Sequence, residues 1–287
     1  MLALADIKGV GLGLKRELIP QIQAAYQNPS ISNINFVEIA PENWIGAGGK
    51  AAADLAWFVE RFPIACHGLC LSLGGPDPLN VVFLKQVKQF LSANKIPLYT
   101  EHLSYCSDIQ HGQAGYLYDL LPIPFTEEAV KYVAQRIRQT QDILGQRIAV
   151  ENTSFYAAAP ISSMSELTFL NAVLTEADCD LHLDINNIYV NSVNFNFDAH
   201  DFLRGIPAER IVYSHVAGHY QQTKNLLVDK TRTFSYCAAR FTSAICSRLV
   251  TRSKRSARHA STMSAGGPFS ESNALKKRFV SRTASTR

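Results

Sequence analysis

Seven short apolar runs recur along the first 229 residues, and each stops at a glycine or at polar residues of the kind that bind metals. The clearest are IACHGLCLSLGG (Ile64–Gly75), PLYTEHLSY (Pro97–Tyr105), RIAVENTS (Arg147–Ser154), LHLDINN (Leu181–Asn187) and RIVYSHVAGH (Arg210–His219). A short apolar run bounded by turn residues is the mark of a buried strand. GVGLGL (Gly9–Leu14) and INFVEIA (Ile34–Ala40) complete the set. Between the runs the apolar spacing changes to i, i+3, i+4, which predicts helices around Glu17–Tyr26, Ala51–Phe62, Pro78–Lys95, Thr126–Gly145 and Ser163–Ala177. Thr126 is a ready N-cap, with Glu127 and Glu128 in the first turn and Gly145 as the stop. Ser163 and Glu166 have the spacing of a capping box. Alternating strands and helices imply a parallel sheet with right-handed crossovers.

The expected fold is therefore α/β, a (β/α)8 TIM barrel. Seven units fit before residue 220, whereas a closed barrel needs eight. Without an eighth strand, the first and seventh would be left with open edges. Where the eighth unit is due, the composition changes. Lys230–Arg287 holds 4 Lys and 9 Arg against the single acid Glu271, with 11 Ser and 7 Thr, for a charge of +12. Residues 1–229 carry −8, so the overall +4 averages two unlike sequences. The expected division is a barrel over residues 1–229, incomplete by one unit. It is followed over 230–287 by a basic Ser/Thr/Arg-rich tail, disordered or read out of frame. A disordered basic tail could bind nucleic acid phosphates, but nucleic acid is not the expected partner.

No run of about 18 apolar residues predicts a membrane span, and the N-terminus has no secretory signal. The six cysteines form no paired CxxC motifs, which fits a reduced, cytoplasmic setting. Cys66 and Cys70 flank His67 and are expected to be buried packing residues.

The strand ends carry the chemistry. His67 ends the third strand, Glu101 and His102 the fourth, and Glu151 and Asn152 the fifth. His182, Asp184, Asn186 and Asn187 belong to the sixth, His215 and His219 to the seventh, and Asp229 follows. In a barrel of parallel strands such ends converge at one mouth. Imidazoles and carboxylates without paired thiolates suit Fe, Mn, Zn or Co. The donors exceed one ion's need, and Glu151, on the central strand of the series, is the natural bridge between ions. Of His182 and Asp184, Asp184 is expected to face inward and His182 to lie outside the ligand set. His111 and His200 fall in loop-like, surface stretches.

The segments APENWIGAGG (Ala40–Gly49), ACHGLCLSLGGPDPLN (Ala65–Asn80), TEHLSY (Thr100–Tyr105), YDLLPIPFTEEAV (Tyr118–Val130), ENTSFY (Glu151–Tyr156), HLDINNIYVN (His182–Asn191) and HVAGH (His215–His219) resemble the multinuclear non-haem iron-dependent oxidases, the MNIO family. The resemblance covers nearly all of residues 7–229. It implies a TIM barrel related to xylose isomerase, two or three iron ions, and O2-dependent modification of cysteines in ribosomally made peptides. It also implies a Cys-containing precursor peptide as substrate and a small partner protein that recognises the peptide leader. Carried over by motif, it implies iron ligation by His67, His102, Glu151, Asn187, His215 and Asp229, with Asp184 a neighbouring candidate. The family continues past LL(I/V)D with T-H-G and later L-x-E-R-D. Here Leu226–Asp229 is intact, but Thr231 stands where the family has His, and no L-x-E-R-D follows. A frameshift near codon 230 is the expected cause, and the chain is expected to be impaired. A non-redox metal-dependent isomerase or hydrolase, or a non-catalytic binding protein on the same barrel, are the alternative readings.

Overall fold

The computed structural model describes residues 7–26, 34–110, 113–223 and 226–237, with the backbone alone for residues 108–119 and 217–237. Seven strands run parallel in series: β1 (Gly9–Gly13), β2 (Phe36–Ile39), β3 (Ile64–Gly68), β4 (Leu98–His102), β7 (Ala149–Glu151), β8 (Asp180–Asp184) and β9 (Ile211–Thr223). An eighth, β10 (Leu226–Cys237), runs antiparallel to both β9 and β1 and closes the barrel. The expectation of open edges on the first and seventh strands is thus corrected. Gly9 and Val10 pair with Cys237 and Tyr236, and β9 pairs with β10 along most of its length. A strand has replaced the missing βα unit, and it runs through residue 230.

The helices α1 (Ile19–Ala25), α2 (Gly49–Val59), α3 (Val81–Ala93), α4 (Glu127–Leu144) and α5 (Glu166–Ala177) follow the expected order. In α4, Thr126 Oγ1 accepts from Ala129 N at 3.2 Å, and Gly145 ends the helix in the left-handed region at φ 73°. In α5 the cap is Ser165, which accepts from Thr168 N, rather than Ser163. Glu166 is then free of the cap and meets Asn191 Nδ2 instead.

Three elements add to the expected plan. The hairpin of β5 (Tyr105–Gln110) and β6 (Gln113–Leu121) follows β4. Its pattern is diluted by Ser107, Asp108, Gln110 and Gln113, and the expected surface residue His111 lies outside the described residues. Helix α6 (Ile185–Asn194) springs from β8 with no loop between, and α7 (Ala199–Arg204) places His200 in a helical first turn. Residues Ile185–Ser192 are all buried, so packing overrides the poor helix propensity of its Asn and β-branched residues.

Strand alternation sorts the side chains into two layers. Val37, Ile39, Cys66, Tyr99, Val150, Leu181 and Leu183 face the helices in the main core. Phe36, Ala65, Leu98 and Tyr213 face the barrel axis and form a separate apolar floor with Ile7. The residues two further along the inward-facing rows are Glu38, His67, Thr100 and His215, so the functional cluster rests on that floor, at the C-terminal ends of the strands.

Candidate metal centre

Glu151 is the centre of the cluster. It is 3% exposed, and its two carboxylate oxygens face two different sets of donors. On one side, Oε2 lies 3.2 Å from His67 Nε2 and 3.2 Å from His102 Nε2. Those two nitrogens are 3.1 Å apart. On the other side, Oε1 lies 3.0 Å from His215 Nδ1 and 3.8 Å from His182 Nε2. His215 Nδ1 is also 3.9 Å from Asp184 Oδ2. One ligand atom each from His67, Glu151, His182 and His215 falls within 4.8 Å of the others.

These separations fit cations. Ligands about 2.1 Å from a divalent ion, at angles of about 90–110°, lie about 3.0–3.4 Å apart. The triangle of His67 Nε2, His102 Nε2 and Glu151 Oε2 has those dimensions. Without a cation, the 3.1 Å contact of the two imidazole nitrogens needs a proton on one of them. Orphaned atoms point the same way: His182 Nε2 and Asn187 Oδ1 are buried without a hydrogen-bond partner. A buried polar atom left unpaired costs about 1–3 kcal/mol. The donor set of imidazole nitrogen and carboxylate or amide oxygen suits Fe, Mn, Zn or Co.

The residues expected from the sequence are placed as follows. His67, His102, Glu151 and His215 converge as described. Asp184 ends β8 and caps α6, its Oδ1 accepting from Asn187 N at 2.7 Å. Asn187 stands beside it, its Nδ2 donating to the Asn152 carbonyl at 3.0 Å while Oδ1 stays unpaired. Asp229 sits in β10 opposite His219, and the side chains of both lie outside the described residues. The expectation that one of His182 and Asp184 faces the helices is corrected. Residues two apart on a strand share a face, and both approach the cluster. Glu101 belongs to the other face of β4, where it accepts from Tyr99 OH at 2.6 Å. Burial, reinforced by Glu42, raises its pKa well above the usual range. Cys66 is buried as expected, but Cys70 is exposed.

Glu38 and Thr100 were not singled out from the sequence. Glu38 Oε2 accepts from His215 Nε2 and from Tyr213 OH, both at 2.6 Å. Thr100 Oγ1 lies 2.7 Å from His67 Nδ1 and 3.1 Å from His182 Nδ1. The available signal was alternation: each lies on the inward row of its strand, with Glu38 two residues after Phe36 and Thr100 two before His102.

Burial and charge tune the cluster in opposite directions. Burial alone would raise the Glu38 carboxyl, yet His215 outweighs it and lowers the pKa to about 2. Glu151 is likewise held well below the usual range, because His182, His67 and His215 outweigh its burial. Burial would lower His215, but Glu38 and Glu151 raise it well above its ordinary value. His102 goes the other way, to about 3, through burial and the neighbouring His67. Burial and His215 also keep His182 neutral, the form that binds metals.

A TIM barrel with a buried His/Glu cluster at its C-terminal mouth, able to hold metal, defines the class of this protein. The chain belongs to the MbnB/TglH/ChrH family of RiPP precursor modification enzymes (RiPPs being ribosomally made, modified peptides), whose family model matches residues 9–234. It is 60% identical over 220 residues to a UPF0276 protein of Nitrosospira multiformis, covering 77% of this chain and 75% of the relative. It is 53% identical over 228 residues to a UPF0276 protein of Alcanivorax borkumensis, covering 78% and 75%. Among solved structures, an L-ribulose 3-epimerase aligns with a TM-score of 0.50 and 11% identity, over 91% of this chain and 100% of that one. The 3-keto-D-glucoside 4-epimerase YcjR of E. coli aligns with a TM-score of 0.50 and 9% identity, over 86% and 87%. At those identities the likeness concerns the fold alone. Among the described residues, no helix is long and apolar enough to cross a membrane.

Proposed function

We propose that this chain is built to modify cysteine residues of a ribosomally made precursor peptide oxidatively, using iron and O2. The observation that carries the reading is the division of donors about Glu151. His67 and His102 stand on one oxygen, and His215, His182 and Asp184 on the other. Glu151 would then help to hold two iron ions, with one group of donors facing each of its oxygens, and the buried Asn187 Oδ1 would be a further donor. Membership of a peptide-modifying family supports the substrate class. A small leader-recognising protein is the proposed partner, and the cytoplasm the proposed setting.

Bound iron supplies the redox chemistry with O2. The chain supplies the rest. Its histidines and carboxylates would hold the ions, and the floor of Phe36, Ala65, Leu98 and Tyr213 closes the cluster from below. The neutral His102 and His182 leave ring lone pairs for binding. All donors of the two positions lie between residues 67 and 215, ahead of the composition change at residue 230. Both positions are therefore proposed to survive. A further position using Asp229 lacks the His that the family places two residues later, and turnover is proposed to be impaired.

The test is turnover of a Cys-containing precursor peptide by anaerobically iron-loaded chain, followed by mass spectrometry with and without O2. A mass loss at cysteine that requires both iron and O2 supports the reading. Turnover independent of O2 would favour a non-redox isomerase or hydrolase. Peptide binding with no turnover, even after the family's C-terminal motif is restored, would favour a binding protein.

A further inference from the structure

We infer that Thr100 and Glu38 are positioning residues that decide which ring nitrogen three histidines of the centre offer: Nε2 from His67 and His182, and Nδ1 from His215. The inference rests on the metal reading above and adds the layer behind it.

Thr100 is 1% exposed and stands directly beside His67 in the pairing of β3 with β4. Its hydroxyl oxygen is within hydrogen-bond distance of two Nδ1 atoms, that of His67 at 2.7 Å and that of His182 at 3.1 Å. A hydroxyl has one hydrogen and two lone pairs. If Thr100 donated to either Nδ1, that ring would carry its own proton on Nε2. The proton of His67 would then point into the 3.1–3.2 Å triangle formed with His102 and Glu151. If both rings donate from Nδ1, the oxygen uses both lone pairs, and both Nε2 atoms keep theirs for a cation. His182 Nε2, buried and without a hydrogen-bond partner, is the atom this leaves exposed to the centre.

Glu38 does the reverse for His215. Its Oε2 accepts from His215 Nε2 at 2.6 Å, and the Tyr213 hydroxyl donates to the same oxygen at 2.6 Å. Tyr213 is fully buried and packed edge-on against Phe36 in the barrel floor, so the carboxylate is held from below. With Nε2–H held by Glu38, the ring turns Nδ1 toward Glu151 Oε1 at 3.0 Å and Asp184 Oδ2 at 3.9 Å. A carboxylate behind a ligating imidazole fixes its tautomer and orientation, and losing such a partner weakens metal binding about 10–100-fold.

The experiment is long-range 1H–15N correlation spectroscopy of the full chain labelled with 15N-histidine, metal-free and with Zn2+ as a diamagnetic probe. The expected spectra show Nδ1–H on His67 and His182 in both states, and Nε2–H with a metal-bound Nδ1 on His215 in the Zn2+ form. Thr100→Val is expected to mix the tautomers of His67 and His182 and weaken Zn2+ binding about 10–100-fold, while Thr100→Ser restores both. Glu38→Gln is expected to weaken Zn2+ binding over the same range and to disturb only the His215 signals. Nε2–H on His67 or His182, or a Zn2+-loaded His215 that keeps Nδ1–H, would overturn the inference. So would a folded Thr100→Val variant with unchanged tautomers and affinity. If the wild-type chain binds no Zn2+, the metal reading and the Glu38 assignment fall together, while the metal-free tautomers of His67 and His182 still decide the role of Thr100.

Discussion

His102 and Glu38 make the metal-free chain sensitive to acid. The folded pKa of His102 lies near 3, against an ordinary 6.5, through burial and its neighbour His67. Below pH 6.5 the unfolded chain takes up a proton that the folded chain refuses, so stability falls as pH drops from 6.5 to about 3. Glu38, at about 2 against 4.5, adds a loss of the same sign between those values. His215 has the opposite sign, its contribution being present below 6.5 and fading as pH rises through its elevated folded value. Thermal melts of the metal-free chain are expected to drop on acidification by the equivalent of a few kcal/mol, because each tenfold difference in proton affinity between the two states is worth about 1.4 kcal/mol. His102→Asn should reduce the slope between pH 6.5 and 3, leaving the share of the likewise neutral His182; an unchanged slope would contradict the assignment. Glu166 offers a separate check. Its carboxyl sits in a cleft with Leu103, Phe125, Phe155 and Phe169, and burial raises its pKa to about 8, partly offset by Asn191. Its stabilising neutral form is lost as pH rises from 4.5 toward 8, so Glu166→Gln is expected to melt higher than the parent at about pH 8–9 and alike at pH 4.5. The residues that end strands in His, Glu or Asp were legible as a site, because a parallel barrel gathers strand ends. Glu38, Thr100 and His182 were less legible. Each needs the alternation to be traced from its own strand, and Glu38 stands between the apolar Val37 and Ile39 rather than at the end of its run.

Elements whose signals are local were the easiest to read. Thr126, Glu127, Glu128 and Gly145 define α4 by capping chemistry alone, and Thr126→Ala is expected to cost about 1 kcal/mol in denaturant unfolding. The same helix fixes the segment after β3 in a way no local pattern announces. Arg136, buried, donates to the carbonyls of Leu73, Asp77 and Ser72 at 2.8, 2.6 and 3.1 Å. Ser72 in that segment adopts a left-handed φ of 50°, and Tyr132 OH donates to the Gly75 carbonyl at 2.6 Å. A guanidinium fork serves three separated carbonyls where an ammonium cannot. Arg136→Lys is therefore expected to cost about 1–3 kcal/mol. It should also speed proteolysis within residues 69–80; a variant as stable and as resistant as the parent would contradict this. Helix α6 and the β5–β6 hairpin escaped sequence reading for related reasons. One is buried nearly all round despite poor helix formers, and the other alternates too weakly to stand out from a loop.

Across the whole molecule, seven parallel strands carry the expected order, and the eighth position is filled by an antiparallel strand drawn from the segment where the composition turns basic. Closure of the barrel and completeness of the family motif are thus separate matters. Backbone pairing asks only for a strand of suitable length, whereas the motif asks for a His after Asp229 and a later acid. Reading the gene beyond codon 229 in the other two frames is expected to restore that His and an L-x-E-R-D strand; neither frame doing so would make the basic segment native. The division of donors about Glu151 stands apart from this question, since every donor precedes residue 230. The most direct test counts tightly bound iron per chain after anaerobic loading, in the parent, His102→Ala and Glu151→Gln. The expected result is two ions in the parent, one in His102→Ala and none in Glu151→Gln. A parent chain without iron, or a Glu151→Gln chain that keeps its full complement, would contradict a centre bridged by Glu151.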